Sequence, residues 1–171
     1  MGNSFFRKVI DALVYLFVVI FSVLYIIPEY LLDVEKRLGF DFCSHAVLIP
    51  IGQFLMLVGL AIALWSAFHM SKYGKGTPIP SSSPTELVTT GPYAIVRQPM
   101  MWSLYIVLLG EALNDGSILI LVWVFVLARF GVLFIDRYEE PLLEIEFGEA
   151  HKKYCESVPC WIPDFKRENK G

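Results

Sequence analysis

Residues 46–70, AVLIPIGQFLMLVGLAIALWSAFHM, contain no charged side chain at any of 25 consecutive positions. The hydrocarbon core of a bilayer is about 30 Å thick, and a helix that rises about 1.5 Å per residue needs about 20 apolar residues to cross it. This stretch is long enough to do so. It predicts a membrane-spanning helix, and with it an all-α integral membrane protein.

Three further apolar stretches flank this one and predict helices over residues 9–33, 97–113 and 117–136. The third and fourth of the four predicted helices carry only one charged residue each in their apolar parts, Glu111 and Arg129. The composition agrees, because 56% of the residues are hydrophobic and 18% are charged, against about 45–50% and about 25% in soluble domains. The sequence therefore predicts about four transmembrane helices.

Two polar segments lie outside the predicted spans. A connector over residues 71–97 joins the second span to the third, and a tail over residues 137–171 follows the fourth. The start of the tail, to about Tyr154, has the pattern of an amphipathic helix lying at the membrane interface. Lys and Arg concentrate on one side of the predicted topology, at Arg7, Lys8, Lys72, Lys75, Arg97, Arg137, Lys152, Lys153, Lys166 and Arg167. Only Lys36 and Arg37 lie on the other side, so both termini and the connector are predicted to be cytosolic. Residues 1–171 form a single multi-pass domain in this interpretation.

The charge and the cysteines exclude some kinds of site. The formal net charge is −3, which leaves no basic field for a nucleic acid. The three cysteines, Cys43, Cys155 and Cys160, form no C-x-x-C pair and have no metal-ligand spacing with the three histidines. We therefore predict no nucleic-acid partner and no metal site from the sequence.

Arg97 is the first residue that could bind a ligand. Pro99 can occupy the first turn of the third helix, so Arg97 lies near a helix N-terminus, where free backbone N–H groups favour an anion. One interpretation is a binding position for a carboxylate or a phosphate. The other is an arginine whose side chain reaches the lipid headgroups. The residue pattern alone leaves both open.

Arg129 and the pair Glu139-Glu140 could join Arg97. A turn at residues 114–116 would place residue 129 roughly opposite residue 101, and a charged residue within a span needs a partner or a polar cavity. Two adjacent carboxylates could bind an ammonium group. The alternative for this part of the tail is an interfacial helix that only covers the bundle.

Two blocks of short motifs frame the third and fourth predicted spans. The first block comprises Gly76-Thr77-Pro78, Leu87-Val88, Gly91-Pro92-Tyr93 and Arg97-Gln98-Pro99-Met100-Met101. The second comprises Glu139-Glu140, Leu143, Phe147-Gly148, His151, Tyr154 and Val158-Pro159-Cys160-Trp161-Ile162-Pro163. With both blocks in this order, the chain resembles the isoprenylcysteine carboxyl methyltransferase and phospholipid N-methyltransferase superfamily of integral membrane methyltransferases.

The resemblance implies a methyltransferase that binds S-adenosylmethionine (SAM) on the cytosolic side and acts on a lipophilic or membrane-delivered acceptor. That acceptor would be a prenylcysteine carboxylate, a lipid amine or a small thiol, and membrane lipids would be partners. The implied cofactor-binding residues are Leu87, Val88, Gly91, Tyr93, Arg97, Gln98, Pro99, Met101, Glu139 and Glu140. The candidate catalytic residues are Arg97, Arg129 and Glu140. The alternative function is a non-catalytic membrane scaffold or ligand-binding protein that retains the fold.

Four positions depart from the superfamily pattern. Gln98 replaces a His or Asn, Met101 and His151 each replace a Tyr, and Cys160 replaces an Arg. Gln98 can donate and accept hydrogen bonds but cannot act as a base. These changes leave the acceptor open, while Arg97 and both glutamates favour a working cofactor site.

Overall fold

The computed structural model of the protein describes residues 18–39, 46–74 and 86–162, and these are helical wherever they form regular structure. The α-helices are α1 (Ile27–Leu38), α2 (Leu48–Tyr73), α3 (Pro99–Asp115), α4 (Ile118–Phe134), α5 (Glu140–Phe147) and α6 (Glu149–Ser157). A π-helical turn, Ser22–Ile26, precedes α1, and another, Ile135–Glu139, joins α4 to α5. A short 3₁₀ turn, Gly91–Ala94, precedes α3.

Two helices among the described residues are long and apolar enough to cross a membrane: α2, and the continuous run Ile118–Phe147 formed by α4, the π turn and α5. Their most apolar segments are only 11% and 17% buried. A core helix of a soluble protein would be mostly buried, whereas here large side chains such as Phe54, Leu57 and Phe125 are more than half exposed. Exposed apolar faces of this size are typical of helices that contact lipid.

The described residues contain two such helices where the sequence predicted four. The predicted spans over 46–70 and 117–136 are confirmed as helices. The predicted span over 97–113 forms α3, whose 17 residues make it shorter than the two spanning helices. The predicted span over 9–33 begins outside the described residues. Its described part stays helical to Leu38 and ends at Gly39, whose φ is 71° and whose N–H donates to the carbonyls of the last turn.

The tail also differs from the prediction of one separate interfacial helix. Its first half continues the fourth predicted span without a break through the π turn to Phe147. The helix then ends at Gly148, whose φ of 54° interrupts the helical conformation. The chain resumes as α6, which carries His151 and Tyr154 on its buried side. Residues 75–85, within the predicted connector and including the Gly76-Thr77-Pro78 motif, lie outside the described residues, as do 1–17, 40–45 and 163–171.

Glycines allow α2 and α3 to pack with their backbones in contact. A Cβ atom on Gly59 would lie 2.9 Å from the carbonyl oxygen of Ser103, and one on Gly110 would lie 2.9 Å from the amide nitrogen of Met56. Any larger residue would therefore push the two helices apart. Small residues at such contacts are a common means of helix association in membranes, where burial of apolar area gives no driving force.

A buried carboxylate connects α1 to the start of α4. Glu35 is only 5% exposed and accepts hydrogen bonds from the backbone N–H groups of Ile118 (2.9 Å) and Leu119 (3.0 Å) and from the hydroxyl of Ser117. Ser117 is itself the N-cap of α4 and accepts from the N–H of Ile120 at 3.1 Å. The carboxylate thus satisfies donors at a helix N-terminus, where the helix dipole also favours a negative charge.

We expect Glu35→Ala to destabilise the fold, because it removes the acceptor of three donors at the start of α4. A buried donor left without an acceptor costs about 1–3 kcal/mol, so the loss should reach about 2–4 kcal/mol. The measurement is the thermal unfolding midpoint of the detergent-solubilised protein. Glu29→Ala, which removes an exposed carboxylate from the same helix, is the matched control. An equal decrease in both variants would contradict this role of Glu35.

Candidate functional site

A cavity of about 510 Å³ lies where the segment before α3 meets the end of the Ile118–Phe147 run and α6. Its volume falls within the range of about 300–1,000 Å³ that is typical of small-molecule sites. Nine of the ten predicted cofactor-binding residues line it: Leu87, Val88, Tyr93, Arg97, Gln98, Pro99, Met101, Glu139 and Glu140. The tertiary structure therefore brings together residues that are separated by up to 53 positions in the chain.

The tenth, Gly91, is not part of the cavity wall but positions it. Its φ is 63°, and a Cβ atom at this position would lie 2.7 Å from Nε2 of His69 on α2. Only glycine combines this backbone conformation with this close approach. The 3₁₀ turn can therefore lie against the ring of His69, and Tyr93 is buried two residues later.

The C-terminal tail forms one side of the site. The backbone N–H of Arg97 donates to the carbonyl of Pro159 at 3.0 Å. The indole N–H of Trp102 donates to the carbonyl of Trp161 at 2.7 Å. These two bonds attach the start of α3 to the segment after α6, beside the cavity.

A third hydrogen bond holds α6 against the 3₁₀ turn. The hydroxyl of Tyr154 donates to the carbonyl oxygen of Tyr93 at 2.6 Å, and both side chains are buried. Burial raises the pKa of Tyr154 well above its usual value, although the nearby Arg97 opposes the shift. The phenol therefore stays protonated and keeps its role as a donor at neutral pH.

Each of the two adjacent glutamates pairs with one of two adjacent residues before α3. Nη1 of Arg97 donates to Oε2 of Glu140 at 2.6 Å. Nε2 of Gln98 donates to Oε1 of Glu139 at 3.0 Å. The sequence suggested these four residues as one site, and the structure places them in contact across the cavity wall.

Two polar atoms of the cavity residues are buried without a hydrogen-bond partner among the described residues: the hydroxyl of Tyr93 and Nε of Arg97. Burial, and to a lesser extent the carboxylate of Glu139, raise the pKa of Tyr93 well above its usual value, so its hydroxyl remains a donor. A buried donor without an acceptor costs about 1–3 kcal/mol. An acceptor group on a bound ligand would remove that cost for both atoms.

Arg129 lies elsewhere. Its side chain is exposed on α4, and it is not among the residues that line the cavity. The face of α4 that meets α3 is marked by the buried Gly131, where a Cβ atom would lie 2.9 Å from the Cε of Met101. Residues two apart on a helix differ by about 200° in direction. Gly131, and not Arg129, is therefore the residue of α4 that contacts Met101. Arg129 points to the opposite side of the helix, and the structure does not bring it to Glu139 and Glu140.

The site also contains a cluster that the sequence analysis missed. His151 is 3% exposed, and its Nε2 lies 3.7 Å from Oε2 of Glu140. The sulfur of Cys155 lies 3.6 Å from the same oxygen and 3.6 Å from His151 Nε2, and it also contacts Nη1 of Arg97. Residues four apart share one face of a helix. The His-x-x-x-Cys spacing on α6 was therefore the available signal, although the sequence analysis found no metal-ligand spacing between cysteines and histidines.

Cys160 lies near the other carboxylate oxygen of Glu140. Its sulfur lies 3.8 Å from Oε1 of Glu140. Burial raises the pKa of the Cys160 thiol to about 11, with the positive charge of Arg97 lowering it and the carboxylate of Glu140 raising it. Burial likewise raises the pKa of the Cys155 thiol. Both thiols are therefore protonated at neutral pH, and we expect them to be weak nucleophiles.

A family model described as phospholipid methyltransferase matches residues 47–150 of the chain. The match begins just before α2 and ends just before His151, so it includes Tyr93, Arg97 and both glutamates but excludes Cys155. No curated protein and no solved structure gives a significant match.

The charges around Cys160 predict how fast its thiol is alkylated. A pKa of about 11 instead of 9.0 makes the thiolate fraction about 100-fold smaller at pH 8, and the rate should rise as the pH approaches 11. In a Cys43→Ser, Cys155→Ser background, Glu140→Gln should accelerate reaction with N-ethylmaleimide at pH 8. Arg97→Gln should slow it. The measurement is the labelling rate by mass spectrometry.

Glu149→Gln is the control for this experiment, because Glu149 is exposed at the start of α6 and is not among the groups that shift the pKa of Cys160. Changes of the same sign in the Glu140 and Arg97 variants would contradict the electrostatic assignment.

Proposed function

The chain belongs to the phospholipid methyltransferase family, and from this premise we propose that it is a SAM-dependent methyltransferase with a lipophilic or membrane-delivered acceptor. The observation that carries the proposal is a pair of buried donors, the Tyr93 hydroxyl and Arg97 Nε, that find no partner in the described part of the chain and lie beside the carboxylates of Glu139 and Glu140. The cavity wall thus offers donors for an anionic group and acceptors for a cationic group within one volume.

These residues fit the amino-acid end of SAM. Arg97 Nε and the hydroxyl of Tyr93 would donate to its carboxylate, while Arg97 Nη1 stays on Glu140. The carboxylates of Glu139 and Glu140 would accept hydrogen bonds from its ammonium group. Hydrogen bonds between charged groups are about twice as strong as neutral ones, and an arginine presents several donors in a fixed plane. Apolar residues of the wall, among them Leu87, Val88 and Leu143, would cover the remainder.

Orientation is the main contribution of these side chains to catalysis. SAM, when bound, supplies an activated methyl group on a positively charged sulfur. Because that charge is dispersed as the methyl group leaves, residues that stabilised it strongly would protect the ground state instead of the transition state. Arg97 and Glu140 act at the other end, where they fix the position of the methyl donor. The apolar wall excludes water, and together these effects favour transfer to an aligned acceptor.

The acceptor would enter from the membrane. Phe134, Tyr138 and Leu142 line the cavity and are also 48%, 68% and 60% exposed on the membrane-crossing run Ile118–Phe147. The cavity wall is therefore continuous with an exposed apolar surface that would face the membrane. This continuity favours a nucleophile carried by a lipid, such as a lipid amine or a prenylcysteine carboxylate, over a small thiol that arrives from the cytosol.

We further propose that the helices over 9–33 and 97–113 complete a four-span topology with both termini in the cytosol. α3 packs along the length of α2 through the glycine contacts, which supports a crossing by α3 as well. The excess of Lys and Arg in the connector and the tail supports the orientation.

Cysteine labelling in membrane vesicles tests this topology. In a chain without its three native cysteines, a cysteine at Ser83 should react with a membrane-impermeant maleimide only when the cytosolic face is accessible. A cysteine at Lys36 should show the opposite pattern, because it precedes the second span on the other side. Labelling of both positions from the same face would overturn the proposed topology.

Isothermal titration calorimetry of the detergent-solubilised protein tests the cofactor site. We expect SAM and its demethylated product, S-adenosylhomocysteine, to bind with one ligand per chain. Arg97→Ala and Glu140→Ala should each weaken SAM binding by about 10-fold or more, because a hydrogen bond to a charged group contributes about 1.5–3 kcal/mol. Arg129→Ala removes an exposed arginine and should leave the affinity unchanged.

Three outcomes would contradict the proposal. Binding that survives both Arg97→Ala and Glu140→Ala would place SAM elsewhere. A loss of SAM binding in Arg129→Ala would mean that Arg129 belongs to the SAM site, although the geometry puts it outside the cavity. No heat with either ligand would favour the non-catalytic scaffold. If SAM binds, transfer of a labelled methyl group to fractions of a lipid extract would identify the acceptor.

A further inference from the structure

Three side chains with different metal-binding atoms meet where Glu140 faces α6. One carboxylate oxygen of Glu140, a ring nitrogen of His151 and the sulfur of Cys155 all lie within 4.8 Å of one another. We propose that these three residues, with Cys160 as the fourth, form a binding site for a divalent cation of the Zn²⁺ type, and that this cation competes with Arg97 for Glu140.

The distances between the ligand atoms are close to those of a tetrahedral zinc site. Bond lengths of about 2.0–2.3 Å to nitrogen, oxygen and sulfur imply separations of about 3.3–3.8 Å between ligand atoms. The observed separations are 3.6 Å between the sulfur of Cys155 and Oε2 of Glu140, 3.6 Å between that sulfur and Nε2 of His151, and 3.7 Å between Nε2 and Oε2. These three ligand atoms are therefore within a few tenths of an ångström of the spacing that a tetrahedral zinc site requires.

Cys160 supplies the fourth ligand from a different segment. Its sulfur lies 3.8 Å from the second carboxylate oxygen of Glu140, after the end of α6. Two sulfurs, one imidazole and one carboxylate form a donor set that suits Zn²⁺ and disfavours Mg²⁺ or Ca²⁺, which prefer oxygen. Binding would displace the protons of both thiols to solvent, since only thiolates coordinate the metal.

A second cavity of about 450 Å³ gives access to this cluster from outside the cofactor cavity. It is lined by His151, Cys155 and Glu140 and by three further carboxylates, those of Asp136, Glu144 and Glu156. Lys152 also lines this cavity. Its Nζ lies 3.6 Å from Oε1 of Glu144, so its positive charge is already partly neutralised. The surplus of negative charge would attract a divalent cation to the entrance.

Arg97 opposes the metal directly. Its Nη1 donates to the same two atoms that the cation would bind, Oε2 of Glu140 and the sulfur of Cys155. A cation and this guanidinium group cannot share them, so metal binding requires that Arg97 leave Glu140. On the proposed function, this exchange would disturb two of the three charged partners of SAM, Arg97 and Glu140, and Zn²⁺ would inhibit SAM binding. The metal site itself does not depend on that function.

Competition with a chromophoric chelator measures Zn²⁺ binding to the purified full-length protein in detergent. We expect one Zn²⁺ per chain. His151→Ala and Cys155→Ser should each weaken it by at least about 10-fold, since even the loss of groups that support metal ligands costs about 10–100-fold. Arg97→Ala should tighten binding by about tenfold or more, because it removes the competing charge. Cys43→Ser controls for the loss of a thiol outside the described residues.

Co²⁺ provides a spectroscopic test that a purely structural role of the cysteines would not satisfy. The Co²⁺ form should show a thiolate-to-metal charge-transfer band that Cys155→Ser weakens and Cys43→Ser leaves unchanged. Zinc binding that is equal in wild type and in the His151→Ala, Cys155→Ser double variant would overturn the site. So would weaker binding in Arg97→Ala.

The relation to SAM is tested separately, by repeating the calorimetric titration with and without Zn²⁺. We expect Zn²⁺ to lower the SAM affinity of the wild type and to have no effect on that of Cys155→Ser. A protein that binds Zn²⁺ but never SAM would retain the metal site and refute the proposed function. A SAM affinity that does not change at saturating Zn²⁺ would refute the competition between Zn²⁺ and Arg97 for Glu140.

Discussion

The ion pair between Arg97 and Glu140 is the interaction around which the rest of the site is arranged. Both side chains are largely removed from water, at 14% and 21% exposure. Charges in such positions are costly unless they are paired and hydrogen-bonded. The pair joins the segment before α3 to the start of α5, and both residues line the cavity between these elements. Beside it, Arg97 Nε and the Tyr93 hydroxyl have no hydrogen-bond partner among the described residues, and the proposed cofactor would bind there.

The helices hold these groups in place by two different means. Apolar faces of α2 and of the Ile118–Phe147 run are exposed, as is typical of helices that contact lipid, and the glycine contacts bring the backbones of α2 and α3 together. Polar interactions fix the ends. Glu35 satisfies the N-terminus of α4 at one end of the bundle, and the Tyr154–Tyr93 hydrogen bond attaches α6 at the other. The site is therefore carried by helices whose positions are determined independently of it.

Glu140 has a double role because it lies between two cavities. On one side it belongs to the wall of the larger cavity together with Tyr93 and Gln98. On the other it faces His151 and Cys155, which lie on α6 one helical turn apart. One carboxylate cannot neutralise an arginine and coordinate a metal ion with the same oxygen. This shared oxygen would couple occupancy of the proposed metal site to occupancy of the proposed cofactor site.

Local patterns in the sequence determined the helices and most of the residues of the cavity. An uncharged stretch of 25 residues has to be a buried or lipid-facing helix, and the order of the two motif blocks indicated which loop and which glutamates belong together. Only the tertiary structure decided in which direction the side chains of a helix point and where the chain goes after a helix ends. Arg129 faces outward because it lies two residues from Gly131, the contact with α3. His151 and Cys155 meet Glu140 because the helix breaks at Gly148 and folds α6 back. Helix rotation and the angle at a break depend on packing between distant segments, which no local pattern encodes.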